Sequence, residues 1–304
     1  MTTIEILALA LAADQPNTFT LTQSFWQHRY RVQTQGWLAK FEQAGLLQQA
    51  TAPMLSLQQK TVAQLKQLLR TYHLKVSGRK VDLLNRLQTE LTAAELIRQC
   101  PQQFYRLTPA GIELVQQHRS VQWLHDYYVA GIIDFTAAKR TQLPTDLTLD
   151  DTLAWLLDAA QVRAQQQSDW PQIYYVAHIR FQIAWQRQHV GTALNALLDC
   201  VYLKLAGVTQ VEKATRATLD WQTTAYKVEP FYNYILQQIM HDYHMTTDDI
   251  SSAFAQRCQH LAVPHQLFSD SEMQQLLLWA LTGQDQLSQQ LYQTKKARYE
   301  GAVS

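Results

Sequence analysis

Turn-forming residues are scarce. Nine glycines and eight prolines in 304 residues leave little material for the tight turns of a many-stranded β architecture and point to long helices. Charge is scarce as well, at 17% Asp, Glu, Lys and Arg, whereas 47% of the chain is hydrophobic. With apolar residues distributed throughout, no long stretch has the composition of a disordered segment. Much of the polar surface is glutamine, a good helix former. Three cysteines, Cys100, Cys200 and Cys258, are too few, too far apart and odd in number for a disulfide framework, and fit reduced thiols in a cytoplasm. No apolar run approaches the roughly eighteen residues that would call for a bilayer. The opening Met1–Ala13 is apolar, yet it lacks a basic start and carries Glu5, so it reads as a buried first helix and not as a secretory signal. Catalytic signatures are missing too: there is no P-loop, no Gly-x-Gly-x-x-Gly, no nucleophile elbow and no paired cysteine–histidine spacing.

Against this background one stretch stands out. From Lys60 to Leu91 there are seven basic residues, Lys60, Lys66, Arg70, Lys75, Arg79, Lys80 and Arg86, against two acids, Asp82 and Glu90. The local balance is +5 in a chain whose total is +1, so everything else sums to −4. A basic island on a near-neutral protein is the electrostatic footprint of a phosphate-backbone contact; the alternative is a solvated helix face. Spacing makes the island helical. Thr61 is a candidate N-cap for a helix whose stripe is Val62, Leu65, Leu68 and Leu69. Ser77 is a candidate cap for a second, with Val81, Leu83, Leu84, Leu87 and Leu91 as its apolar positions. Helices this short must pack on one another, leaving their cations outward. Gly78, Arg79 and Lys80 then stand at a helix N-terminus, where free N–H groups and the dipole favour an anion.

The segment 57–91 resembles a SAP domain, a helix–extended loop–helix module generally associated with DNA. The matching residues are Leu65-Lys66-x-x-Leu69, Leu74, Ser77-Gly78-x-Lys80 and Leu83-Leu84-x-Arg86-Leu87. The resemblance implies a DNA partner, with Lys66, Arg79, Lys80 and Arg86 as polar contacts and Gly78 as a close approach of backbone to phosphate; Arg70 and Lys75 share the same basic stretch. Where the family usually carries glycine before the loop leucine, this chain has His73. Histidine in the left-handed region there costs about 1 kcal/mol relative to glycine.

The flanks carry a weaker pattern. Trp37–Leu47 reads as an amphipathic helix ending in Gly45 and an apolar pair, and Phe104–Val115 as an extended aromatic run meeting Thr108 as N-cap and Pro109 at the first helical position. The Gly-Leu-Leu ending and the Tyr105-x-Leu107-Thr108-x-x-Gly111 return are similar to winged-helix regulators, in which case the wing contains the whole SAP-like segment; the alternative is a plain helical scaffold supporting it. The arrangement as a whole resembles SAP-containing bacterial proteins.

Beyond residue 120 the periodicity predicts helices over 146–167, 173–188, 192–205, 228–243, 247–261 and 271–295, with a break at Trp170-Pro171. The aromatics Tyr174, Tyr175, Phe181, Trp185 and Tyr202 read as core and not as a base-stacking platform. His241 and His244 have a spacing compatible with metal, but no H-E-x-x-H frame or cysteine pair accompanies them, and the neighbouring acids Asp248 and Asp249 read as first-turn residues of the next helix.

The expected fold is mainly α. Residues 1–56 form an N-terminal helical segment, 57–91 the SAP-like module, 92–119 a strand–turn–helix return to a candidate winged-helix-like N-terminal domain, and 120–304 a C-terminal helical bundle. The expected function is non-enzymatic nucleic-acid binding, of DNA before RNA, through Lys66, Arg70, Lys75, Gly78, Arg79, Lys80 and Arg86. No cofactor, metal or membrane is expected, and the helical bundle is assigned a protein partner or self-association. The competing reading is a protein-interaction scaffold in which nucleic acid plays no part.

Overall fold

A computed structural model describes residues 1–208 and 228–301, apart from 262, 265 and 267. Among these residues seventeen helices accompany one two-stranded sheet, a mainly α protein. Contacts divide the chain into two units, Met1–Thr152 and Leu153–Ser304.

The first unit begins with α1 (Thr3–Ala12), whose start is fixed reciprocally. The Thr2 hydroxyl accepts from the Glu5 N–H at 3.2 Å, and the Glu5 carboxylate accepts from the Thr2 N–H at 2.7 Å. Ile6, Leu7, Leu9 and Ala12 are buried, as expected of the apolar opening. Short α2 (Phe25–His28) and α3 (Trp37–Gln43) follow, and Gly45, with φ of 69°, turns the chain into strand β1 (Leu47–Thr51). Four helices, α4 (Pro53–Gln59), α5 (Val62–Thr71), α6 (Lys80–Glu90) and α7 (Ala93–Gln99), precede strand β2 (Gln103–Leu107). The strands pair antiparallel from Leu47 opposite Leu107 to Thr51 opposite Gln103. The whole segment 52–102 therefore leaves the sheet at one strand end and returns at the adjacent one.

Helix α8 (Pro109–Gln117) opens as its sequence specifies, with Pro109 in the first turn and the Thr108 hydroxyl accepting from the Gly111 N–H at 3.2 Å. Gly111 is required for space, since a Cβ there would lie 2.1 Å from the Leu46 carbonyl oxygen. The glycine of the Tyr-x-Leu-Thr-x-x-Gly pattern thus marks where α8 touches the entry to β1. Helices α9 (Ser120–Asp126) and α10 (Phe135–Arg140) complete the unit. The division by contacts places α9 with the first unit. It packs on α1, and its Val121 joins the core of Leu7, Trp26, Phe41 and Leu47.

The second unit contains α11 (Leu149–Gln166) from Leu153 onward, α12 (Trp170–Gln186), α13 (Val190–Ala206), α14 (Pro230–Asp242), α15 (Thr247–His260), α16 (Asp270–Thr282) and α17 (Asp285–Gly301). Helix α13 is apolar nearly all round, from Ala193 to Ala206, which is the signature of a buried helix. It packs against α12, α14, α15 and α16, and Leu197, Leu198, Val201, Leu203 and Leu205 are fully enclosed. Phe181 and Tyr202 are core residues as expected, whereas Tyr175 is exposed.

Two boundaries differ from the sequence reading. Trp170-Pro171 does not break a helix but opens α12; the break falls at Ser168, with φ of 52°, and Asp169 caps the new helix by accepting from the Gln172 N–H at 3.0 Å. The expected single helix over 271–295 is two, because Gly283 takes φ of 70° and ends α16. No helix among the described residues is long and apolar enough to cross a membrane.

Candidate nucleic-acid interface

Helices α4 to α7 have a core of their own. Leu57 from α4, Leu65 and Leu69 from α5, Leu83 and Leu87 from α6, and Leu91, Leu96 and Cys100 around α7 are all buried together, separately from the cluster around Trp26 and Phe41. The four-residue leucine spacing on α5 and on α6 produces one apolar stripe per helix. The module is thus larger than the stretch 57–91. Its fourth helix was legible in Thr92-Ala93-Ala94-Glu95, a capping box in which the Glu95 carboxylate accepts from the Thr92 N–H at 2.9 Å.

Both ends of α5 follow from local chemistry. The Thr61 hydroxyl accepts from the Gln64 N–H at 3.3 Å and the Gln64 side chain accepts from the Thr61 N–H at 2.8 Å. At the other end His73 adopts φ of 53°. The Leu74 N–H then reaches the Leu69 carbonyl at 2.9 Å and the His73 N–H the Arg70 carbonyl at 3.0 Å. This pair of bonds is the Schellman arrangement, completed by histidine where glycine is the unstrained choice.

The start of α6 is not capped by Ser77. The helix begins at Lys80, with Arg79 in the cap position, because Asp82 reaches back to accept from the Arg79 N–H at 2.8 Å. Gly78, with φ of +123°, makes room for that carboxylate, and a Cβ at Gly78 would fall 2.9 Å from Asp82 Oδ2. Its immediate role is therefore the fit of the loop against Asp82. The N–H groups of Lys80 and Val81, in the first turn, have no partner within a helix by construction.

The seven candidate residues divide by what holds them. Arg86 donates to the Lys75 and Ser77 carbonyls, the latter at 3.2 Å, and pins the loop to α6. Lys80 donates to the Gln58 carbonyl at 2.7 Å and ties α6 to α4. Arg70, Lys75 and Arg79 are exposed and Lys66 is half-buried. None of the module's basic side chains forms an ion pair among the described residues. The sequence pattern missed the anchoring parts of Lys80, Arg86 and Asp82, since these depend on which carbonyls the folded loop presents.

Elsewhere several cations are paired with acids. Lys40, the basic residue of α3, bonds Glu5 at 2.5 Å and, with the bond from Thr2, holds that carboxyl below its usual range. Arg106 pairs with Asp14 at 2.6 Å. The histidine pair does not share a helical face: α14 ends at Asp242, His241 bonds the Asp242 carboxylate at 2.9 Å, and His244 lies past the end with φ of 54°. Among the described residues no group of three His, Cys, Asp or Glu could hold a metal ion.

Residues 56–98 match the SAP domain family, which spans α5, α6 and nearly all of α7 together with the end of α4. No curated protein and no solved structure matches the chain.

Proposed function

We propose that this chain uses its SAP domain to bind nucleic acid, duplex DNA in the first instance, by gripping the phosphate backbone. The observation that carries this reading is the set of four cations, Lys66, Arg70, Lys75 and Arg79, on α5, in the loop that follows it and at the cap of α6, which the fold leaves without acidic partners among the described residues. Lys80 and Arg86 shape the loop and add positive potential from behind it. Chemistry on the nucleic acid is not part of the proposal, and the protein acts as a binder in the cytoplasm. A single module of this size binds weakly unless doubled. The second unit therefore takes the role of contacting another protein or a second copy; its exposed Trp155, Tyr175, Phe231 and Tyr234 are residue types enriched at interfaces.

The test is fluorescence-anisotropy binding of the full chain to a mixed-sequence duplex across a salt series. Four phosphate contacts give a slope of log affinity on log salt of about −4. The Lys66→Glu, Arg70→Glu, Arg79→Glu variant, with folding checked by circular dichroism, is expected to abolish binding. Absence of binding by the intact chain at low salt would overturn the reading and favour a protein partner.

A further inference from the structure

Leu83 and Leu87 face the module core and fix the rotation of α6. The opposite side of that helix then carries Val81, Asn85 and Gln88, at intervals of four and three residues and all exposed. Val81, 64% exposed, is as open to solvent as any large hydrophobic residue among the described residues, although its place in the sequence suggests a packing role. A β-branched residue gains nothing for a helix in water. The side chains of Asn85 and Gln88 have no hydrogen-bond partner among the described residues; the bond at Asn85 uses its backbone carbonyl, which accepts from Thr89. The outer face of α6 therefore carries one apolar surface, two free carboxamides and the Thr89 hydroxyl, with the exposed Asp82 carboxylate at its edge. Arg79 stands at its leading end, and Asp82, the acid nearest it, is occupied with the Arg79 N–H.

We infer that Val81, Asn85 and Gln88 form a reading face that enters a duplex groove and contacts uncharged groups there, base edges and sugars, while the cations hold the backbone. The inference rests on the nucleic-acid reading proposed above. Charge complementarity selects the occupant, because a partner drawn by Arg79 and the neighbouring cations to this end of α6 must be anionic around a strip that itself offers Val81 and two carboxamides, as a groove is between its phosphates. A major groove admits a helix, its base edges present donors and acceptors that carboxamides can meet, and a thymine methyl offers apolar contact. Phosphate contacts alone would leave the module indifferent to sequence; this face supplies discrimination.

The experiment compares the full chain with two variants, Arg79→Ala and the triple Val81→Ala, Asn85→Ala, Gln88→Ala. Each binds a mixed-sequence duplex across a salt series and then selects from a randomised duplex pool that is sequenced. Alanine raises helix propensity at exposed positions, so folding is retained. The triple variant is expected to lose about tenfold in affinity or more at every salt concentration, with its salt slope unchanged and its sequence enrichment flattened. Arg79→Ala is expected to flatten the slope by about 1 and keep the enrichment. A triple variant that binds and selects like the intact chain overturns the reading face while leaving backbone binding in place. An intact chain that binds no duplex overturns both.

Discussion

The second unit and the module inserted in the first use charge in opposite ways. In the second, cations are part of the packing: Arg257 grips Asp199 through two bonds of 2.6 and 2.8 Å, Arg180 meets Asp158 at 2.8 Å, Lys204 meets Glu229 at 2.7 Å and Lys295 meets Glu272 at 2.7 Å. In the inserted module of the first unit no cation has an acidic partner among the described residues, and the two that are tied down bond to carbonyls. An ion pair with its partner already in the fold has little field left for a ligand. Unpaired cations held on a small leucine core contribute little to stability and keep their field for an outside anion. Net charge hides this difference; pairing shows it.

The sharpest way to break the comparison is to remove one cation from each side. Arg257→Ala leaves the Asp199 carboxylate, 8% exposed, without its partner, and is expected to cost about 3 kcal/mol or more in urea unfolding. Arg70→Ala, at an exposed unpaired site, is expected to change stability by less than about 0.5 kcal/mol while weakening duplex binding. Burial already pushes the Asp199 carboxyl above its ordinary value despite Arg257. The folded chain of the Arg257 variant therefore takes up a proton more readily than the unfolded one, and its deficit is expected to shrink on acidification. Equal losses for the two variants would erase the distinction between structural and functional charge.

Next in size is Leu83→Ala, which cuts into a core of eight buried residues and is expected to cost about 3 kcal/mol. Because that core is separate from the scaffold's, hydrogen exchange is expected to quicken across 53–100 and to stay slow in α1 and α13. Uniform quickening would show one cooperative core in place of two.

A smaller effect tests the polar centre of the second unit. The Tyr232 hydroxyl lies 2.8 Å from that of Tyr174 and 2.9 Å from His178 Nδ1. Burial pushes Tyr174 up to about 12 and holds His178 below its usual value. A histidine depressed in the fold binds its proton less readily there than in the unfolded chain. Its contribution is present above the unfolded value of about 6.5 and is lost as pH falls below it. His178→Gln is expected to flatten the decline in stability between neutral and mildly acid pH, read by thermal unfolding.

What the sequence made legible was what depends on near neighbours. Thr61 and Thr108 capped as read, the leucine spacings of α5 and α6 placed the module core, and His73 turned left-handed where glycine was missing. The errors share a different cause. Ser77 loses the cap to Asp82 because the loop carries Gly78 at a φ that brings the carboxylate under Arg79; Val81 holds an apolar position but no packing partner, because a stripe of period 3.6 does not say where the partner helix stops. Nothing in the local sequence of α9 records that Val121 shares a core with Leu7. The basic residues were found by composition, but which of them would be bound to carbonyls depended on contacts such as Lys80 with Gln58, 22 positions away.

His73 offers the smallest change and the most direct probe of the module. Its φ of 53° lies where a side chain is disfavoured, and the bonds from His73 and Leu74 that close α5 exist only in that conformation. Replacement by glycine removes the steric cost but frees the unfolded chain, and at this type of helix end the first effect wins. His73→Gly is thus expected to stabilise the module by about 1 kcal/mol, seen as slower hydrogen exchange at Leu74 and along α5. The histidine is exposed and none of the proposed contacts uses it, so duplex affinity should stay put or rise as the loop from Lys75 to Arg79 is held more firmly. A fall in affinity with the module still folded would instead make the imidazole itself a contact and extend the interface from the N-terminus of α6 to the C-terminus of α5.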